Sequence, residues 1–227
     1  MEETVRESVS YTTVRRLPLY VPMLKAALEA GEQSISSAKI AAAFGLDNVL
    51  VRKDLASIGI TGQARLGFPI RELINGIEQF LGWNKASEAF VIGAGNLGKA
   101  LAGYTGFEQH GLKIIALFDI NPDKVGQVIA DKPVMSVAQF ASLVRRMHVP
   151  IAILTVPAEE AQAAADMAAS AGIKAIWNFT PARLVLPDEI IVEQVDLAAS
   201  LAVLSSRLAS SDRSTLSPKQ PPEQAAR

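Results

Sequence analysis

Ten residues, Val91-Ile92-Gly93-Ala94-Gly95-Asn96-Leu97-Gly98-Lys99-Ala100, restrict the fold of this chain more than any other stretch. The apolar run Ala89-Phe90-Val91-Ile92 leads straight into G-x-G-x-x-G, and Ala100-Leu101-Ala102 continues as a helix. Gly93 allows the tight strand-to-helix turn, Gly95 lets backbone N–H groups approach a pyrophosphate, and Gly98 lets helix and strand pack closely. The phosphates then sit on the positive end of a helix dipole. Leu117-Phe118-Asp119 places an acid 21 residues after Gly98, at the end of a second apolar run, where a ribose diol is held. The same glycines also fit the opening of a P-loop, Gly93-x-x-x-x-Gly98-Lys99. That motif needs Ser or Thr next to ligate magnesium, and here the position is Ala100. Dinucleotide binding is favoured over triphosphate binding.

At 227 residues the chain suffices for one large or two small domains. It contains no cysteine, which excludes a disulfide framework, thiolate metal ligands and a thiol nucleophile. The acidic start Met1-Glu2-Glu3 and the lack of a long apolar run argue against a secretory signal or membrane span, and a cytoplasmic protein is expected. The net charge of −1 conceals a basic patch, because residues 36–71 hold Lys39, Arg52, Lys53, Arg65 and Arg71 against only Asp47 and Asp54.

Ahead of the glycine motif the periodicity is helical. Thr13 opens a pattern carried by Leu17, Tyr20, Leu24 and Leu28 and stopped by Gly31; Pro22 inside it should kink the helix. Ser36-Ser37 caps a second helix that Gly45 ends, and Asp47-Asn48 caps a third that Gly59 closes. Three helices with a tight glycine-containing link form the helix-turn-helix pattern. On the third, Val51, Leu55 and Ile58 face the core, while Asn48, Arg52, Lys53 and Ser57 have reach to phosphates and base edges. Residues 60–68 read as a hairpin wing with Arg65 at its tip, suited to a minor groove. Ile70–Leu81 is an amphipathic helix, and the polar run 84–88 marks a boundary.

Beyond that boundary, apolar runs at 89–92, 112–118, 150–155, 173–177 and 189–192 alternate with helical patterns at 96–104, 137–147 and 158–171. Continuous rather than alternating apolar runs mark strands of a parallel sheet buried on both faces. The last helical pattern carries Leu197, Leu201, Leu204 and Leu208 as a seam with no later element to cover it. The expected organisation is α/β. A flexible arm (1–12) precedes an N-terminal winged helix-turn-helix domain (13–84), followed by a Rossmann-like NAD(H)-binding domain (85–194). A C-terminal helix (195–210), which either folds back on its own domain or docks on a second copy, and a disordered tail (211–227) complete it.

Taken together these residues resemble the Rex family of redox-sensing transcriptional repressors. The resemblance covers roughly Thr13 to Leu208 and rests on Arg15-Arg16-Leu17-Pro18-Leu19-Tyr20, Val51-Arg52-Lys53-Asp54-Leu55, Gly93-Ala94-Gly95-Asn96-Leu97-Gly98, Phe118-Asp119, Leu154-Thr155-Val156-Pro157, Trp177-Asn178-Phe179 and Val195-Asp196-Leu197. It implies a homodimer through a C-terminal domain-swapped helix that binds inverted-repeat operator DNA, lets go when NADH binds, and so reports the NADH/NAD+ ratio. It also implies roles by position: the glycine loop for the pyrophosphate, Asp119 for the adenosine ribose, and Thr155, Val156, Pro157, Asn178 and Phe179 as walls of the dinucleotide site. Tyr104 falls near the nicotinamide. Arg52 and Lys53 fall in the major groove and Arg65 in the wing, with Ser36, Ser37, Asn48 and Ser57 beside them. One departure is Pro22, where the family commonly has an arginine that pairs with the acid matched by Asp196; that ion pair cannot form here.

A dehydrogenase is the competing class, or a small NAD- or CoA-binding module whose N-terminal helices serve only assembly. A dehydrogenase needs an acid–base group at the substrate carbonyl. Of the two histidines, His110 lies in a polar loop and His148 ends a helix, so neither reads as a catalyst. The chain left over is too short for a substrate domain, and no catalytic residue or metal site is assigned. Asp119 repels a 2′-phosphate and Ile120-Asn121-Pro122 offers no arginine to receive one, which favours NAD(H) over NADP(H).

Overall fold

The computed structural model describes residues 9–215, and side chains as far as residue 210. Its first helix, α1 (Tyr11–Glu29), begins two residues before the expected Thr13, because the Ser10 hydroxyl caps it by accepting from the Thr13 N–H. Both Pro18 and Pro22 lie inside this helix. They sit four residues apart on its outer face, while Leu17, Tyr20, Val21 and Leu24 line the buried one. The helix continues through both prolines, which stay off its buried face.

A short strand β1 (Ser34–Ile35) leads into α2 (Ser37–Phe44), capped by Ser36, and α3 (Asn48–Ser57), capped by Asp47. After the wing comes β2 (Phe68–Pro69), which pairs antiparallel with β1, and then α4 (Ile70–Leu81). The wing turns tightly, with Gln63 and Gly67 bonded to each other in both directions and Arg65 exposed at φ 65°. Leu17, Leu24, Ile40, Val51, Leu55, Ile70 and Ile77 close the core of this unit at 0% exposure.

The second unit is a seven-stranded sheet in the order β5-β6-β4-β3-β7-β8-β9. Its strands are β3 (Ser87–Ile92), β4 (Leu112–Asp119), β5 (Val128–Ile129), β6 (Lys132–Ser136), β7 (Ile151–Leu154), β8 (Ala175–Asn178) and β9 (Ile191–Gln194). The register pairs Val91 with Ile153 and Ile153 with Trp177, all parallel. β5 runs antiparallel to its neighbour, β6. These two strands were not anticipated, since Lys132–Ser136 buries Val134 alone and shows no apolar run. The helices are α5 (Asn96–Gly103), α6 (Phe140–Met147) and α7 (Ala158–Ala171). Phe90, Phe118 and Phe140 meet edge to face, with centroids 4.9 to 5.8 Å apart. On α7 the buried positions are Ala161, Ala165, Ala168 and Ala171, small enough to let the helix lie close on the sheet.

Contacts group residues up to Ala86 with Thr105–Lys113, and Ser87–Tyr104 with everything from Ile114 onward. Residues 105–113, which the sequence assigns to the dinucleotide domain, thus pack with the N-terminal helices. His110 closes a 3-10 turn there rather than standing in a loop, its ring centroid 4.1 Å from that of Trp83. His148 ends α6 in the left-handed conformation, as expected of a cap. The last helix, α8 (Leu197–Thr215), leaves Leu197, Leu201, Leu204 and Leu208 more than 60% exposed. Most of the arm expected at 1–12 and of the tail expected at 211–227 lies outside the described residues.

Candidate functional site

The strand order reverses at β3, so the crevice beyond the carboxyl ends of β3 and β7 is where this class of sheet holds ligands. Gly93 and Thr155 meet there: the Thr155 hydroxyl donates to the Gly93 carbonyl at 2.8 Å and the Thr155 N–H to the Ile92 carbonyl at 2.9 Å. A Cβ on Gly98 would collide with the Gly93 carbonyl, so this glycine is what lets α5 start against β3. Gly95 differs. Its φ of −79° suits any residue and a Cβ there would meet nothing within 4 Å. Its side of the loop is open, and no side chain caps the helix that follows. A pyrophosphate fits this place, with the N–H groups of Asn96 and Leu97 in the first turn of α5.

Asp119 ends β4 and is 7% exposed. Its Oδ2 accepts from the Ala94 N–H (2.8 Å) and the Lys124 ammonium (2.9 Å), and its Oδ1 from the Asn121 N–H (2.9 Å). Burial by itself would raise this carboxyl, but Lys124 and the two backbone donors outweigh it and hold the group below the usual carboxylate range. Lys124 escaped the sequence reading. The turn Asn121-Pro122-Asp123-Lys124 folds it back, the Lys124 N–H donating to the Asn121 carbonyl at 3.1 Å.

A cavity of about 840 Å³ opens beside Asp119. Gly93, Gly95, Thr155, Val156 and Pro157 line it, together with an apolar floor that includes Phe118, Val137 and Met167. Tyr104, Asn178 and Phe179 do not line this cavity. Tyr104 caps α5 and is exposed. Asn178 is fully buried and its amide is spent on the protein: it donates to the Ala182 carbonyl and to Gln194 Oε1, and accepts from the Thr180 N–H. It holds the loop after β8 in shape, while the Phe179 ring packs at a tilt against Trp177, centroids 4.9 Å apart.

In the N-terminal unit, Arg52 and Lys53 project from α3 into solvent and Arg65 from the wing. Ser36 is exposed and bonded to the Lys39 N–H; Ser37 is buried at the start of α2. The Ser57 hydroxyl donates to the Asp54 carbonyl, and Asn48 Oδ1 is buried without a partner among the described residues. Asp54, read from sequence only as a charge, is 1% exposed. It accepts from the Thr13 hydroxyl, from Arg16 through both oxygens and from the Tyr20 hydroxyl, at 2.6 to 3.0 Å. Desolvation pushes its carboxyl up, yet Arg16, Tyr20 and Thr13 hold it low. Burial and the same carboxylate push the Tyr20 phenol up. The cluster ties α1 to the helix that carries Arg52 and Lys53.

Two family models match, a putative DNA-binding protein N-terminus over residues 8–56 and a CoA binding domain over 84–182. The redox-sensing transcriptional repressor Rex of Treponema denticola is 47% identical, over 85% of this chain and 91% of its own length. The Rex of Caldanaerobacter subterraneus subsp. tengcongensis is 42% identical, over 88% of this chain and 89% of its own. Crystal structures of RSP, a Rex-family repressor, share the fold. RSP with β-NAD+ and operator DNA superposes at a TM-score of 0.85, with 40% identity and 91% and 95% of the two chains covered. RSP with β-NADH gives 0.82, with 38% identity and 92% and 98% covered.

Proposed function

This chain belongs to the Rex family of redox-sensing transcriptional repressors, and from that premise we propose that it holds inverted-repeat operator DNA and lets go when its glycine cradle takes NADH. The observation that carries the reading is the open flank of Gly95 beside a buried Asp119, on a chain whose N-terminal helices present Arg52 and Lys53. We propose the glycine loop for the pyrophosphate, Asp119 for the ribose, and Thr155, Val156 and Pro157 for the wall of the adenosine pocket. Arg52 and Lys53 serve the major groove and Arg65 the minor. Tyr104 and Phe179 serve the nicotinamide end, where an apolar surface disfavours the charged oxidised ring over the neutral reduced one.

The protein acts in the cytoplasm as a homodimer joined through α8. That helix exposes four leucines on a single chain, and a second copy exchanging its own helix would cover them. Moving such a dimer from almost wholly bound to almost wholly released takes about 10⁴-fold differential affinity, about 5.5 kcal/mol, which two sites can share.

A gel shift with a labelled inverted-repeat duplex tests this directly. Release by NADH but not by equal NADPH is expected, and retention at saturating NADH overturns it. Arg52→Ala and Lys53→Ala are each expected to weaken operator binding and flatten its salt dependence, by roughly one unit of log–log slope per lost phosphate contact.

A further inference from the structure

We propose that Lys124 is a masked receptor for a 2′-phosphate, and that Asp119 enforces the choice of NAD(H) by holding it. The inference rests on the dinucleotide reading of the cradle. A carboxylate offers about four acceptor positions, and three on Asp119 are taken. Two of those donors, the N–H groups of Ala94 and Asn121, are fixed by the backbone. The third is the Lys124 ammonium, on a flexible side chain that is 33% exposed. A ribose diol needs two acceptors on Asp119, so the lysine is the donor it displaces. Among the described residues that line the cavity Lys124 is the only cation, against Asp119, Glu159 and Glu160.

The 2′ substituent of a bound dinucleotide therefore lies within reach of this ammonium. While Asp119 keeps its charge, the ammonium is neutralised and a phosphate meets a carboxylate first. With that charge removed, the lysine is released to form a charge-assisted bond with the phosphate. Cofactor choice in this pocket thus depends on an ion pair, and not only on the acid.

Isothermal titration of the full-length protein with NADH and NADPH tests the idea on the wild type, Asp119→Asn, Lys124→Met and the double variant. The Asp119→Asn protein is expected to bind NADPH about tenfold or more tighter relative to NADH than the wild type does. Adding Lys124→Met to it should remove about tenfold of NADPH affinity while NADH changes less than about threefold. Equal NADPH affinity in Asp119→Asn and the double variant overturns the proposal, as does an equal loss of both nucleotides. Lys124→Met alone keeps the test open if Asp119→Asn does not fold. It should leave weak NADPH binding within about twofold of wild type, and a tenfold drop would show an unmasked lysine and overturn the masking. Failure of the wild type to bind NADH would overturn the dinucleotide reading as well. NADH binding by the wild type, with equal NADPH affinity in Asp119→Asn and the double variant, would overturn this inference alone.

Discussion

Asp54 and Asp119 are the two carboxylates buried to 7% exposure or less in the described residues, and both are held below their ordinary pKa against the cost of desolvation. Their donors differ in kind. Asp54 is saturated by three side chains of α1, at least 34 residues away in sequence. Asp119 takes two backbone N–H groups and one exchangeable lysine, at the wall of an 840 Å³ cavity. A depressed pKa thus fails to separate a structural clamp from a binding group. What separates them is whether one donor can leave and something can take its place.

The strongest way to break the comparison is Asp54→Ala, which strands the Arg16 guanidinium and the Tyr20 hydroxyl. A loss of about 3 kcal/mol from the N-terminal unit is expected in urea melts, with NADH affinity unchanged within about twofold. An altered NADH affinity would mean that Asp54 is not merely a clamp. Next, saturating NADH at 100 times its Kd should protect the amides of β3 and β7 from hydrogen exchange by about 2.7 kcal/mol. Without operator DNA the amides of α1 and α3 should gain less.

Gly95→Ala sharpens the contrast further. Its Cβ strains no backbone and touches nothing in the fold, so thermal melting should stay put while NADH binding weakens about tenfold, as read by titration. The smallest effect is acid sensitivity. Both carboxyls titrate below the ordinary 3.8 when folded, so their stabilisation is complete above that pH and is lost as the pH falls through the folded values. Acid melts carried below pH 3.8 should show stability lost from each unit as the pH falls, with NADH delaying only the second.

The cradle was legible in the sequence because it is made of backbone, and glycine spacing is how a sequence encodes backbone geometry. Asp119 was legible for the same reason, as the end of a strand at a fixed distance. Side-chain pairings were not. Arg16 reaches Asp54 across 38 residues, and nothing local marks either as buried. Lys124 sits five residues from Asp119, but its approach depends on a turn whose direction the composition does not show. Asn178 carries the right chemistry for a ligand, yet the loop after β8 uses up its amide. Helix α1 was legible in spite of two prolines, because Leu17, Tyr20, Val21 and Leu24 mark one buried face on which neither proline falls.

The strip Thr105–Lys113 leaves one unit and is built into the other, so the chain passes between them three times, after Ala86, Tyr104 and Lys113. This makes the molecule indivisible at the level of its gene. A truncation after residue 86 takes away the N-terminal helices without the strip whose His110 lies on Trp83, and a fragment starting at 87 carries that strip as an orphan. Neither half can be lent to another protein by simple end-to-end fusion. A protease that nicks one crossing leaves the halves joined by the other two.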